Sequence, residues 1–165
     1  MGAIAGREKL MDLFSPLNPT FLVHSGTFNG NPVTMVAGLA TLKELTVSEI
    51  DRINKLGEKL RTIFSNVLEE VGINAQVTGM GSLAQIHFTN QEIKDWRTAA
   101  TARIDIRTIL HLMLMDRGIF AAQRVLLNIS TPMGEKEVTE AGIALKSCLL
   151  EMKPYIEKVA PELIV

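Results

Sequence analysis

The sequence predicts an α+β fold, with helices packed on a small, mainly antiparallel sheet. Three observations carry that expectation. Ile50, Ile53, Leu56, Leu60, Ile63, Phe64, Val67, Leu68 and Val71 recur at helical spacing. Residues 75–80 and 83–89 alternate around Gly79-Met80-Gly81-Ser82, the pattern of two strands joined by a tight turn. Ile106, Ile109, Leu110, Met113 and Leu114 then return to a helical period.

The elements follow in chain order. A short strand at Ala3 and Ile4 and a helix from Glu8 to Phe14 lead into a loop punctuated by Pro16, Asn18 and Pro19. Asn31-Pro32 is a helix start, because the asparagine side chain can cap free amides and a proline has no N–H to lose at the first helical position. The helix body, Val33 to Leu45, is apolar on most faces, which predicts an interface helix covered within an assembly. Thr46-Val47-Ser48-Glu49 is a capping box that opens the long helix ending at Gly72. After a polar link, Asn90 to Asp95, the third helix reaches Arg117, where Gly118 supplies the left-handed stop. Ile119 to Ala122 and Val125 to Ser130 read as short strands separated by Gln123-Arg124. A last helix runs from Glu135 to Met152, with Pro154 and Pro161 breaking up its tail.

Composition narrows the function. With 165 residues the chain is long enough to bury an apolar core without cross-links. Its 17 Lys and Arg against 18 Asp and Glu leave no basic footprint for nucleic acid or an anionic membrane. No apolar run approaches the ~20 residues of a membrane helix, and the single Cys148 excludes an internal disulfide and fits a reducing, cytoplasmic location. The hydrophobic fraction of 47% leaves room for a surface meant to be covered, as in an oligomer or a part of a larger body.

Few residues invite chemistry. No histidine stands at metal-ligand spacing with another His, Cys or acid, so no metal site is expected. His87 in a strand and His111 in an apolar helix read as hydrogen-bonded or solvent-facing side chains, and Cys148 among Leu145, Leu149 and Leu150 as a core thiol. Met113 and Met115 read as packing, and Asn128-Ile129-Ser130, although it matches a glycosylation pattern, falls in a strand. What remains is the loop Ser25-Gly26-Thr27-Phe28-Asn29-Gly30-Asn31-Pro32. Its small residues let backbone approach a ligand, its hydroxyl and amides can donate to phosphate oxygens, and the following helix start adds positive potential; a bare turn is the alternative.

At this loop the sequence meets a known family. His24 to Met35, followed by Ala37-Gly38-Leu39-Ala40, resembles the signature that follows the cofactor lysine in class III, fold-type I aminotransferases, especially glutamate-1-semialdehyde aminomutases. Gly2 to Phe14 resembles the stretch just past the family's lysine segment, and Asp105 to Phe120 with Ile129-Ser130-Thr131-Pro132 resembles its small C-terminal domain. The resemblance implies pyridoxal 5'-phosphate as cofactor, amino-group transfer on a small amino acid, and a homodimer in which Ser25, Gly26 and Thr27 face the phosphate of the neighbouring subunit's coenzyme. It divides the chain into residues 1–32, a remnant of the large domain with the phosphate-facing loop, and residues 33–165, the interface helix and the small domain.

The same resemblance gives Arg124 a role. In related β-amino acid enzymes an Ala-x-Arg segment brings a guanidinium to a substrate carboxylate, a pairing that bidentate geometry suits; here Val125 stands where a small residue or glycine is usual, and a surface ion pair is the alternative. The lysine that would hold the coenzyme is expected ahead of residue 1, since Lys9, Lys43, Lys55 and Lys59 sit on helix faces or ends. No catalytic residue is therefore assigned within the chain, which is expected to be silent alone. The alternative function is a stand-alone α+β module that self-associates through the apolar helix.

Overall fold

The computed structural model describes Gly2 and residues 4–165. They cluster into two compact units, Met1–Thr46 and Val47–Val165.

The first unit opens on a short helix α1 (Glu8–Met11) that tightens into a 3-10 turn over Asp12–Phe14. Part of the expected opening strand, Ala3, lies outside the described residues, and Ile4 belongs to no strand. Asn18 then organises the loop: its amide donates to the Asp12 carboxylate at 2.9 Å and its carbonyl oxygen accepts from the Thr20 amide at 2.8 Å. Helix α2 (Pro32–Glu44) begins where the Asn-Pro pair predicts, with Asn31 Oδ1 accepting from the amides of Val33 and Thr34. Only Gly38 of this helix is buried; Val33, Met35, Val36, Leu39 and Leu42 are exposed.

The second unit is built on two long helices, α3 (Val47–Val71) and α6 (Glu135–Val159), which pack against each other. Leu60, Phe64, Leu145 and Leu149 are among the residues they bury fully or nearly so, each contributing about 1.5–3 kcal/mol of transfer free energy. Gly142 makes the close approach possible, since a methyl group there would strike Ile63. The sheet is three-stranded and antiparallel in the order β1 (Gln76–Thr78), β2 (Leu83–His87), β3 (Leu126–Asn128), and α3 packs on β1 and β2. Gln76 pairs with His87 and Ala84 with Leu127. Ala84, Ile86 and Phe88 are completely buried; by strand alternation Gln85 and His87 stand on the opposite face.

Between β2 and β3 lie a one-turn helix α4 (Trp96–Ala99) and helix α5 (Ile104–Asp116). The sequence predicts one helix from the end of the polar link at Asp95 to Arg117, whereas the structure interrupts it after Ala99. Asp95 Oδ1 accepts from the Thr98 amide at 2.9 Å and starts this turn; the chain then leaves the helix so that the Arg103 amide donates to the Phe88 carbonyl at 2.9 Å, tying the start of α5 to the end of the β2 segment.

Two expectations are corrected. Residues 119–122 form no strand, because the segment enters a tight turn: the Ala122 amide donates to the Leu126 carbonyl at 3.2 Å and the Val125 amide to the Ala122 carbonyl at 2.7 Å. Nor does α6 end near Met152. It runs through Pro154 to Val159, and Pro161 opens a final 3-10 turn over Pro161–Leu163. Proline forfeits one helical hydrogen bond, but Met152 and Ile156 on either side of it are buried, and that burial holds the helix together.

Candidate functional site

Two places concentrate the residues singled out by sequence, one in each unit.

In the first unit the loop between Ser25 and Asn31 is shaped by two successive turns: the Asn29 amide donates to the Gly26 carbonyl at 3.0 Å and the Asn31 amide to the Phe28 carbonyl at 3.2 Å. Gly30 takes φ +70°, a left-handed value that a glycine adopts without steric cost. Asn29 folds back over Gly26, so that a methyl group at Gly26 would lie 3.2 Å from Asn29 Oδ1. A side chain at position 26 would therefore require the exposed Asn29 side chain to give way by a few tenths of an ångström. The amides of Ser25, Gly26, Thr27 and Phe28, and the hydroxyls of Ser25 and Thr27, have no hydrogen-bond partner among the described residues, and all four residues are exposed. They form a strip of unspent donors of the kind that cradles a phosphate.

The helix end contributes less than the sequence suggested. Pro32 has no N–H, and Asn31 occupies the amides of Val33 and Thr34, so the first turn of α2 offers its dipole but few free donors. An open cleft of about 630 Å³ adjoins the loop and is lined in part by Phe14, His24, Asn29, Gly30 and Thr34; Ser25, Gly26 and Thr27 lie outside its lining. The Phe14 and His24 rings meet edge-on, 5.5 Å between centroids. No lysine lines that cleft, and elsewhere Lys59 pairs with Glu135, Lys146 with Glu70, Lys94 with Glu92 and Lys136 with Glu140, while Lys153 donates to the Val71 carbonyl.

In the second unit Arg124 occupies the tip of the turn from Ala122 to Leu126. Its successor, Val125, has φ +53° and is completely buried. A turn followed by a left-handed residue is the backbone geometry that, in three-residue hairpin loops, favours glycine at that position, although here no strand precedes the turn. The departure noted in the sequence is therefore a matter of backbone: a β-branched residue is held in a conformation it disfavours, anchored by burial. Gln85 Nε2 donates to the Arg124 carbonyl at 3.3 Å and steadies the turn from the neighbouring strand. The guanidinium itself pairs with no carboxylate among the described residues, contrary to the surface ion-pair alternative. Arg124 shares an open pocket of about 410 Å³ with Ile104, Arg107, Thr108, Ala122 and Gln123. Arg107 was not singled out by sequence, because a relation between positions on a helix and on a distant turn leaves no local pattern.

The remaining candidates resolve into structure. His87 is buried, its Nε2 3.0 Å from Thr78 Oγ1 and its Nδ1 without a partner among the described residues. Burial, with the Arg107 charge adding to it, holds its imidazole below the usual range. His111 likewise leaves Nδ1 buried and unpartnered among the described residues but is only partly buried as a residue, so His87 is the hydrogen-bonded side chain expected and His111 keeps part of its surface open to solvent. Cys148 is buried, and burial pushes its thiol up, as a core role requires. Met115 is exposed rather than packed. Asn128 accepts from Ser82 Oγ at 2.8 Å. Among the described residues no group of His, Cys, Asp and Glu could hold a metal ion, and no helix is long and apolar enough to cross a membrane.

Comparison with known proteins fits this arrangement. Residues 1–120 match the family model for class-III aminotransferases. Over 122 residues, 74% of this chain, the sequence is 34% identical to a glutamate-1-semialdehyde 2,1-aminomutase of Methanosphaera stadtmanae, covering 28% of that protein. The β-phenylalanine aminotransferase of Variovorax paradoxus superimposes with a TM-score of 0.76 at 30% identity, over 90% of this chain and 35% of its own. A transaminase with bound pyridoxal phosphate superimposes with a TM-score of 0.75 at 34% identity, over 92% of this chain and 35% of its own. The chain thus spans about a third of the length of the relatives it matches. It belongs to the class-III aminotransferase family.

Proposed function

We propose that this member of the class-III aminotransferases supplies part of a pyridoxal-phosphate-dependent site for amino-group transfer on a small amino acid. The coenzyme, when bound, provides the electron sink for that chemistry. The residues of this chain bind and orient. Ser25, Gly26 and Thr27 donate to the phosphate, by the family resemblance that of a neighbouring subunit, and Arg124 pairs with a substrate carboxylate. The lysine that would hold the coenzyme is not among these 165 residues, so the isolated chain carries out no turnover, and its working form is a dimer or a complex with a large domain, in a reducing compartment such as the cytoplasm.

The observation that supports this most is the unpartnered donor strip from Ser25 to Phe28, in a loop whose glycine sits where a methyl group would crowd Asn29. The test is a titration of the chain's backbone amide resonances with pyridoxal phosphate, inorganic phosphate and pyridoxal. Phosphate-bearing ligands should move the signals of residues 25–28, and Thr27→Val should reduce the response. Equal shifts with pyridoxal, or none, would remove the phosphate reading.

A second reading is favoured by α2. Val33 is 77%, Val36 70% and Leu42 60% exposed, a run of apolar surface that water does not tolerate cheaply. Self-association through this helix would cover it, with or without catalysis. Sizing chromatography over a range of concentrations decides: a monomer throughout would exclude it.

A further inference from the structure

The arginines of the second unit divide into two groups. Arg52 pairs with Glu49, Arg97 with Asp95, Arg103 with Asp105 and Arg117 with Glu151, while Arg61 donates to the carbonyls of Gly81 and Leu83. Arg107 and Arg124 alone have no hydrogen bond or ion pair from their guanidinium groups among the described residues. These two line the same pocket.

The pocket is chemically one-sided. No carboxylate lines it, and the Thr108 hydroxyl is already committed to the Ile104 carbonyl at 2.8 Å. Two guanidinium groups and the Gln123 amide are the polar side-chain groups left to face a ligand. Ile104 opens α5, so the positive end of that helix lies at the same wall. Two cations lining one pocket without a counterion repel each other, and that repulsion is relieved when an anion enters between them. A monocarboxylate neutralises one charge and leaves one; a dicarboxylate neutralises both, with each carboxylate able to take a guanidinium side-on.

We propose that Arg107 and Arg124 together form a dianion site that takes a small dicarboxylate, so that the ligand of this pocket carries an acid group beyond the one Arg124 would bind. The inference rests on the proposed role of Arg124 and extends it with a second residue and a ligand class. Val125 sets the geometry, since its left-handed backbone turns the chain just after Arg124, and Gln85 holds the turn against β2.

The test is a titration of the 165-residue chain with succinate, with acetate as the monoanionic control, read from the amide resonances of residues 104–108 and 122–126 at low ionic strength. Succinate should bind at least about tenfold more tightly than acetate. Arg107→Gln and Arg124→Gln should each weaken succinate binding by about tenfold or more, whereas Arg97→Gln, the same charge change outside the pocket, should leave it unaltered. Circular dichroism of each variant checks that the fold is retained. If Arg124→Gln weakens binding and Arg107→Gln does not, the second residue and the dicarboxylate class are overturned while the single-arginine reading stands. If neither variant matters, both fail. Equal binding of succinate and acetate also overturns the dianion assignment.

Discussion

The Val125 amide donates to the Ala122 carbonyl at 2.7 Å, closing a turn that places Arg124 at its tip and leaves Val125 at φ +53° with its side chain fully buried. Two effects oppose each other at this residue. The left-handed backbone costs a non-glycine residue about 1–2 kcal/mol, whereas burying the valine side chain contributes about 1.5–3 kcal/mol. Val125→Gly relieves the first and forfeits the second, so a net loss of about 1 kcal/mol is expected. Val138→Gly offers the contrast, because that valine is equally buried but helical, and glycine there adds about 1 kcal/mol of helix cost. Urea unfolding should rank Val138→Gly as clearly more damaging. The reverse order would mean that Val125 is not strained.

Helix α2 depends on its cap. Asn31→Ala leaves the amides of Val33 and Thr34 without their acceptor and should cost about 1 kcal/mol, seen as faster hydrogen exchange in the first turn, while Asn31→Ser should recover most of it. Unchanged exchange in the alanine variant would show that the cap contributes nothing.

Close backbone approach makes Gly57 irreplaceable. A methyl group there would sit 2.7 Å from the Cα of Ser82, where only backbone could yield. Gly57→Ala should therefore destabilise by about 3 kcal/mol, at the upper end for overpacking. Gly118→Ala meets no neighbouring atom, and only its φ of +77° opposes the change, for which about 1 kcal/mol is expected. Thermal unfolding of the two variants compares them directly, and equal losses would contradict the packing of α3 against the β1–β2 turn.

His87 gives the second unit a pH dependence of definite sign. Burial first, and then the Arg107 charge, lower its folded pKa below the ordinary value of 6.5. The unfolded chain therefore binds the proton more readily, so stability rises with pH through this window and falls as pH drops from the ordinary imidazole range toward the folded pKa. Replacing His87 with Gln, which keeps a partner for Thr78, should flatten that slope in urea midpoints measured across the window. A slope of equal size in the variant would assign the effect to other groups.

Local chemistry made much of the fold readable. The α3 period, the Asn31-Pro32 start, the glycine-marked β1–β2 turn and the Gly118 stop each require only neighbouring residues, and each is found. What escaped depends on tertiary contacts. Residues 119–122 have strand-like composition but meet no partner strand, and Pro154 is carried inside a helix by the burial of Met152 and Ile156. The left-handed state of Val125 is invisible in a β-branched residue, and the common pocket of Arg107 and Arg124 joins positions with no shared periodicity. For the loop at Ser25 to Asn31, the sequence marked the residues whose amides stay unpartnered among the described residues but credited the helix end with donors that Asn31 in fact consumes.

The central claim is that these 165 residues offer donors and a guanidinium but no lysine poised to take the coenzyme covalently. Peptide mapping by mass spectrometry after treating the purified chain with pyridoxal phosphate and borohydride measures this directly. The account predicts scattered, substoichiometric labelling of surface lysines and no consumption of an amino donor. A stoichiometric label at one lysine, accompanied by amino transfer, would contradict it.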